Sequence, residues 1–186
     1  MKNLTGIFLK AFAFFFIIFT IPKLVEYFFY PMYIRGRIWP PMDHIFLSGL
    51  ITGGIPAILV VLVQVIYINR AARKYNVDSG DINYGMHQTM ELEIEEPSLS
   101  VFENLKNNLP SKNWEIAHLD ETKGVLRFKV SHKWQIPDDV VTIQLQPSGV
   151  NRTLVKVESN LDYWLRMSDN GNNFRNIQQV RQVLSH

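Results

Sequence analysis

Ile45-Phe-Leu-Ser-Gly-Leu-Ile-Thr-Gly-Gly-Ile-Pro-Ala-Ile-Leu-Val-Val-Leu-Val-Gln-Val-Ile-Tyr-Ile68 runs 24 residues without a charged side chain. As a helix rising 1.5 Å per residue, it is long enough to cross a hydrocarbon core of about 30 Å. A second apolar stretch precedes it, from about Leu4 through Ala11-Phe-Ala-Phe-Phe-Phe-Ile-Ile-Phe-Thr-Ile21. The following Pro22-Lys-Leu-Val-Glu-Tyr27 lacks the small side chains that signal peptidase needs, so this stretch is expected to stay as an uncleaved anchor. Between the two lies a connector with Pro31, Pro40 and Pro41, which prevent a continuous helix. Its aromatics, Tyr27 to Tyr33 and then Trp39, suit a belt at headgroup depth. The expected architecture is therefore a two-span hairpin over 1–75, a linker over 76–88 and a soluble domain over 89–186.

Within the second span, Gly49 and Gly53 form a small-x-x-x-small pair, which lets two helix backbones approach closely. Packing against the first span is one reading of the pair, and a homodimer contact is the other. Pro56 removes a backbone donor and is expected to kink the helix. Gln64 is read as able to hydrogen-bond across helices. With no buried carboxylate or paired charge, two spans do not make a transport pathway.

Charge divides the chain at the same place. Residues 1–76 hold eight basic and two acidic side chains, and residues 77–186 hold eleven basic and fifteen acidic ones. An acidic soluble half argues against nucleic acid as a partner, because phosphate binding needs surplus Lys and Arg. Arg70, Arg73 and Lys74 beside the second span bias both termini toward the cytoplasm, and the plasma membrane is the expected location. The expected partners are the lipid bilayer and either a protein or a second copy of the chain. The chain has no cysteine, which excludes disulfides, thiolate metal sites and cysteine nucleophiles.

After Gln88 the pattern changes to period two. Met90, Leu92 and Ile94 alternate with Thr89, Glu91, Glu93 and Glu95, which predicts a half-buried strand. Pro97-Ser98 opens a helix that carries Phe102, Leu105 and Leu109 on one face and ends at Pro110. Four strands are predicted next, over Trp114–Leu119, Val125–His132, Val140–Gln146 and Thr153–Ser159. They are separated by turns at Glu121–Gly124, Pro137–Asp139 and Pro147–Gly149. A last helix from about Asn172 places Phe174, Ile177, Val180 and Leu184 at helical spacing. The order predicts an α+β domain, an antiparallel sheet of about five strands covered by two helices. This layout is similar to that of lipid-binding START-like domains, although those are usually longer. In so short a segment a filled core is expected rather than a cavity.

Two stretches, Ile136-Pro-Asp-Asp-Val-Val-Thr-Ile143 and Ser168-Asp-Asn-Gly-Asn-Asn-Phe-Arg-Asn-Ile177, resemble the paired signature of a bacterial family known as domain of unknown function 1499. There an Asp-Asp-hydrophobic strand precedes a Ser-Asp-x-Gly-x-Asn turn into a closing helix with a basic residue. The resemblance covers roughly Ser98–Leu184. It implies the fold and a membrane-associated bacterial setting, and no reaction. Val157-Glu-Ser-Asn-Leu161 departs from the Arg- and Ser-rich stretch expected at that point.

A candidate polar site gathers Asp138, Asp139, Asp169 and Asn172. Adjacent residues on a strand face opposite ways, so Asp138 and Asp139 do not readily share one ion or proton. Asp169-Asn-Gly-Asn-Asn173 lacks the spaced acids and final Glu of a calcium loop. A left-handed Gly171 and a helix cap account for it more simply. The five histidines show no metal-ligand spacing, and no phosphate loop or nucleophile elbow is present. Neither a metal nor a cofactor is therefore expected, and no catalytic residue is assigned. Trp134, Tyr163 and Trp164 are candidate interface residues. Three functions stay open: a non-enzymatic membrane-anchored adaptor that binds a protein, a binder of lipid or another apolar ligand, and an enzyme with an Asp-containing site.

Overall fold

A computed structural model describes residues 4–29, 42–78, 81–110, 113–132, 135–161 and 168–185. The connector aromatics from Tyr30 to Trp39 and the candidate interface residues Trp134, Tyr163 and Trp164 lie outside the described residues. Two helices come first, α1 (Leu4–Phe29) and α2 (Met42–Lys74). Both are long and apolar enough to cross a membrane, and under a quarter of the residues in either apolar window are buried within the chain. Ile17, Leu47, Ile55 and Leu59 are each half exposed or more, a surface that suits lipid and not water.

The two helices pack along the glycine pair. A Cβ on Gly53 would lie 3.0 Å from the backbone nitrogen of Phe16 and 3.1 Å from its Cα, and one on Gly49 would collide with the Thr20 hydroxyl. The first α1 turns stack Phe8, Phe12 and Phe16 at ring separations of 5.9 and 5.7 Å, as i, i+4 spacing dictates. Both glycines thus face α1. Replacing Gly53 with valine is expected to cost about 1–3 kcal/mol through overpacking. Gly54 has nothing within 4 Å of a built Cβ, and its alanine variant should unfold in detergent like the parent. Equal melting of the two variants would show that the seam is not tight.

Strands β1 (Gln88–Ile94), β2 (Trp114–Asp120), β3 (Val125–His132), β4 (Gln135–Gly149) and β5 (Arg152–Leu161) form one sheet in the order β1-β5-β4-β3-β2. Every neighbouring pair is antiparallel. Helices α3 (Ser98–Asn108) and α4 (Asn172–Leu184) pack on the sheet and on each other. The period-two residues face them: Leu126, Phe128, Val130, Val141, Ile143, Leu145, Val155 and Val157 join Val101, Phe102 and Leu105 of α3 and Ile177 and Val180 of α4 in one core. Trp114 stands edge-on to Phe128 at 5.7 Å and donates its indole N–H to Gln179 at 3.0 Å, as a buried indole requires.

One boundary differs from expectation. Pro137–Asp139, expected as a turn, is strand, because β4 starts at Gln135. Among the described residues, pairing of β4 with β5 begins at Asp139, and the β3 register shifts between Val130 and His132. Pro137 falls in the stretch that this shift leaves out of the β3 register, where its missing N–H is tolerated.

At 33 residues, α2 is about 50 Å long, well beyond the thickness of a bilayer core. The surplus enters the soluble half. Ile68, Ala71 and Ala72 of α2 pack on Phe174 of α4, with Val77, Ile82 and Tyr84 against them. The Tyr84 hydroxyl donates to the Asn69 side chain at 2.8 Å. Part of the stretch expected as a linker is thus fastened to this joint.

Candidate functional site

The joint continues into a buried polar cluster built around the start of α4. Gly171 holds a left-handed φ of 70° there, which lets the chain turn into the helix with Asp169 folded back over its first turn. Asp169 Oδ1 accepts from the Gly171 N–H at 3.1 Å, and Oδ2 accepts from the Asn173 N–H at 2.8 Å. These are first-turn donors that the helix itself cannot satisfy. The Gln64 amide of α2 donates to Asp169 Oδ1 at 2.5 Å, and the Ser168 hydroxyl donates to Gln64 Oε1 at 2.6 Å. Among the described residues, Gln64 therefore bonds the soluble domain and no residue of the other span. Gln64 and Asp169 are both fully buried. Burial pushes the Asp169 carboxyl above its ordinary range; the Gln64 amide and the two backbone N–H groups pull it back in part, and nearby Asp139 pushes it further up.

From Asp169 the cluster runs across α4 to the sheet. Asn173 donates to the Met86 carbonyl at 2.6 Å and accepts from the Ser159 hydroxyl at 2.6 Å. Asn176 donates to Ser159 Oγ at 3.2 Å and to Asp139 Oδ2 at 3.1 Å. The same Asp139 oxygen lies 3.0 Å from His132 Nε2. Asp139 is fully buried, whereas the His132 side chain is 21% exposed. Such a pair can fix an imidazole's orientation and exchange a proton through it. Among the described residues, no group of three His, Cys, Asp or Glu side chains could hold a metal ion.

The structure brings together Asp139 and Asp169, which sequence reasoning singled out. Asn172 is buried at the edge of the cluster, where its side chain accepts from Arg175 at 2.5 Å. Asp138 is half-buried, and among the described residues no hydrogen bond joins it to the cluster. Gly49 and Gly53 lie apart, between the long helices. Sequence reasoning missed Gln64, Ser159, Asn173 and Asn176 as members. The available signal was the inner face of α4, where Asn173 and Asn176 occupy the helical positions that Ile177 and Val180 continue with apolar side chains.

No protein-family model matches the chain, and no curated protein matches it. Solved structures similar to it include an uncharacterized protein from Bacillus thuringiensis, 12% identical, covering 53% of this chain and 93% of that one, TM-score 0.38. Another is the Zhui aromatase/cyclase from Streptomyces sp. R1128, 11% identical over 53% of this chain and 91% of that one, TM-score 0.39. A third is ginseng major latex-like protein 151 from Panax ginseng, 12% identical over 55% and 98%, TM-score 0.33. At TM-scores below 0.5 these are likenesses only, and the α+β architecture rests on the chain's own strand order and helix packing.

Proposed function

We infer that the chain is a two-span membrane protein whose acidic domain sits at the cytoplasmic face of the plasma membrane and binds a protein partner through its surface. One observation carries this reading. Leu126, Phe128, Ile143, Val155 and Val157, in the middle of the sheet face beneath the helices, have zero exposure. A side chain with no accessible surface borders no space that a water molecule could occupy, so the centre of the domain is filled by its own core. Binding is then left to the outer surface. The basic Arg70, Arg73 and Lys74, at the end of α2 nearest the domain, support the cytoplasmic side. The resemblance to the domain of unknown function 1499 family belongs to the same proposal. Its two motifs meet in space, since Asp139 of one bonds Asn176 of the other.

The second reading is binding of a lipid or another apolar ligand, favoured by the layout of two helices over one sheet face. It requires α3 or α4 to move away from the sheet. The two readings separate when the intact protein is extracted from its own membrane into nanodiscs and weighed by native mass spectrometry. A stoichiometric protein partner is the expected result. One tightly held lipid that survives detergent exchange would favour the second reading instead, and a bare monomer would sink both.

A further inference from the structure

The end of the domain away from α2 carries an unassigned surface. β1 starts at Gln88, beside the joint, and its seven residues extend about 23 Å to the start of α3. The β2–β3 turn reaches the same end. Gly124, at a φ of 62°, accepts from the Leu145 N–H at 2.8 Å, and a Cβ there would meet the Leu145 carbonyl oxygen at 2.6 Å. Between this turn, the first turn of α3 and the end of β4 lies an open pocket of about 210 Å³. Buried Phe102 and Leu145 line it together with exposed Leu99 and Pro147 and the charged Glu121 and Lys123.

Two further observations point to an occupant. Of the large apolar side chains exposed on the described part of the soluble half, Leu99 and Val150 are at this end and Ile116 is on the β2 edge. Val150, 97% exposed, sits on the β4–β5 turn. That turn is tied to the end of β1 by Ser148 to Glu93 at 2.8 Å and to the β1–α3 connection by Thr153 to the Glu96 carbonyl at 2.7 Å. The rim is acidic. Lys123 is paired with Asp120 and Arg152 with Glu95, whereas Glu93, Glu96 and Glu121 have no cation within ion-pair distance among the described residues.

We propose that this pocket docks a protein segment that inserts one aromatic side chain flanked by lysines or arginines. The volume is below the range of roughly 300–1,000 Å³ typical of small-molecule pockets. It suits a single buried anchor ringed by polar groups, the usual anatomy of a binding hot spot. Glu121 on the lining and Glu96 just before α3, neither beside a cation among the described residues, complement basic flanks. The proposal rests on the protein-binding reading and locates its site.

The probe is a synthetic peptide with one tryptophan between two lysines on either side, titrated against the intact protein in phosphatidylcholine nanodiscs. Its controls carry serine for tryptophan, or glutamates for the lysines. Only the first peptide is expected to bind. Leu99→Glu should weaken it at least tenfold, and Glu121→Lys severalfold. Ile116→Glu, at the exposed apolar residue of the β2 edge, should leave it unchanged. Leu99 is 56% exposed, so its variant should keep the parent's circular dichroism. Equal binding of the serine peptide would reduce the effect to charge and overturn the proposal, as would displacement of the peptide by phospholipid vesicles. A native partner that copurifies equally well with the Leu99→Glu variant would overturn this site while leaving the protein-binding reading intact. Absence of any partner would overturn both.

Discussion

Replacing Asp169 with alanine is expected to lower stability by about 2–4 kcal/mol and to loosen α2 from α4. Three donors converge on this carboxylate: the Gly171 and Asn173 N–H groups and the Gln64 amide. Alanine leaves all three without their acceptor in a fully buried site, and an unpaired buried donor costs about 1–3 kcal/mol. Loss of the buried carboxylate's own desolvation penalty offsets part of this, so the net cost stays below the sum of the three. Hydrogen exchange should quicken in the first turn of α4 and in α2 beyond Gln64, while the strand core stays protected. Unchanged exchange in both helices would mean that the Gln64–Asp169 contact does not hold the domain.

The same residue gives a pH signature. Burial raises the Asp169 carboxyl above its unfolded value, so the folded state holds the proton more tightly than the unfolded one. Its contribution to stability is therefore full below the unfolded pKa and is lost as pH rises through the folded one. Asp169→Asn, which keeps one acceptor and never ionises, lacks this slope. The stability advantage of the parent over Asp169→Asn should shrink as pH rises through that window, measured by urea unfolding at a series of pH values. A gap that widens with pH would mean that hydrogen bonds to the charged form outweigh its burial.

Most of the fold was legible because its signals are local. Met90, Leu92 and Ile94 alternate with acids, Phe102 and Leu105 sit at helical spacing, and β1, α3 and α4 fall where those patterns place them. Pro137-Asp-Asp139 misled because its composition is that of a turn. Its strand state depends on a register shift against β3, which no local pattern reveals. The candidate site was half legible for a similar reason. Asp139 and Asp169 stand out by residue type, but Gln64 meets Asp169 across 105 residues and lies inside an apolar run whose period gives no hint of a soluble partner. The long apolar helix therefore has two consecutive roles. Up to about Val63 its exposed apolar face suits lipid, and from Gln64 onward one face, that of Gln64, Ile68, Ala71 and Ala72, packs on the domain while Ile66 and Tyr67 stay exposed.

Gly171→Ala should give the other large effect, and it tests that second role directly. At a φ of 70°, a residue with a Cβ carries about 1–2 kcal/mol of strain. The new methyl would also lie 3.1 Å from both the Cγ1 and the backbone nitrogen of Ile68, and 3.3 Å from the Tyr67 carbonyl carbon. These contacts are tight, and a helix backbone cannot yield as a flexible side chain would, so α4 must back away from α2. Together the terms come to about 2–4 kcal/mol. Arg70, Arg73 and Lys74 are exposed but lie in the helical end of α2, and a protease reaches them only when that end opens. Trypsin should therefore cut the Gly171→Ala protein there faster than the parent. Gly54→Ala, within the apolar part of α2 and free of contacts at the added methyl, should be cut at the parental rate. Equal cleavage of all three proteins would mean that the end of α2 is held by its own helix alone and not by the close approach of Gly171.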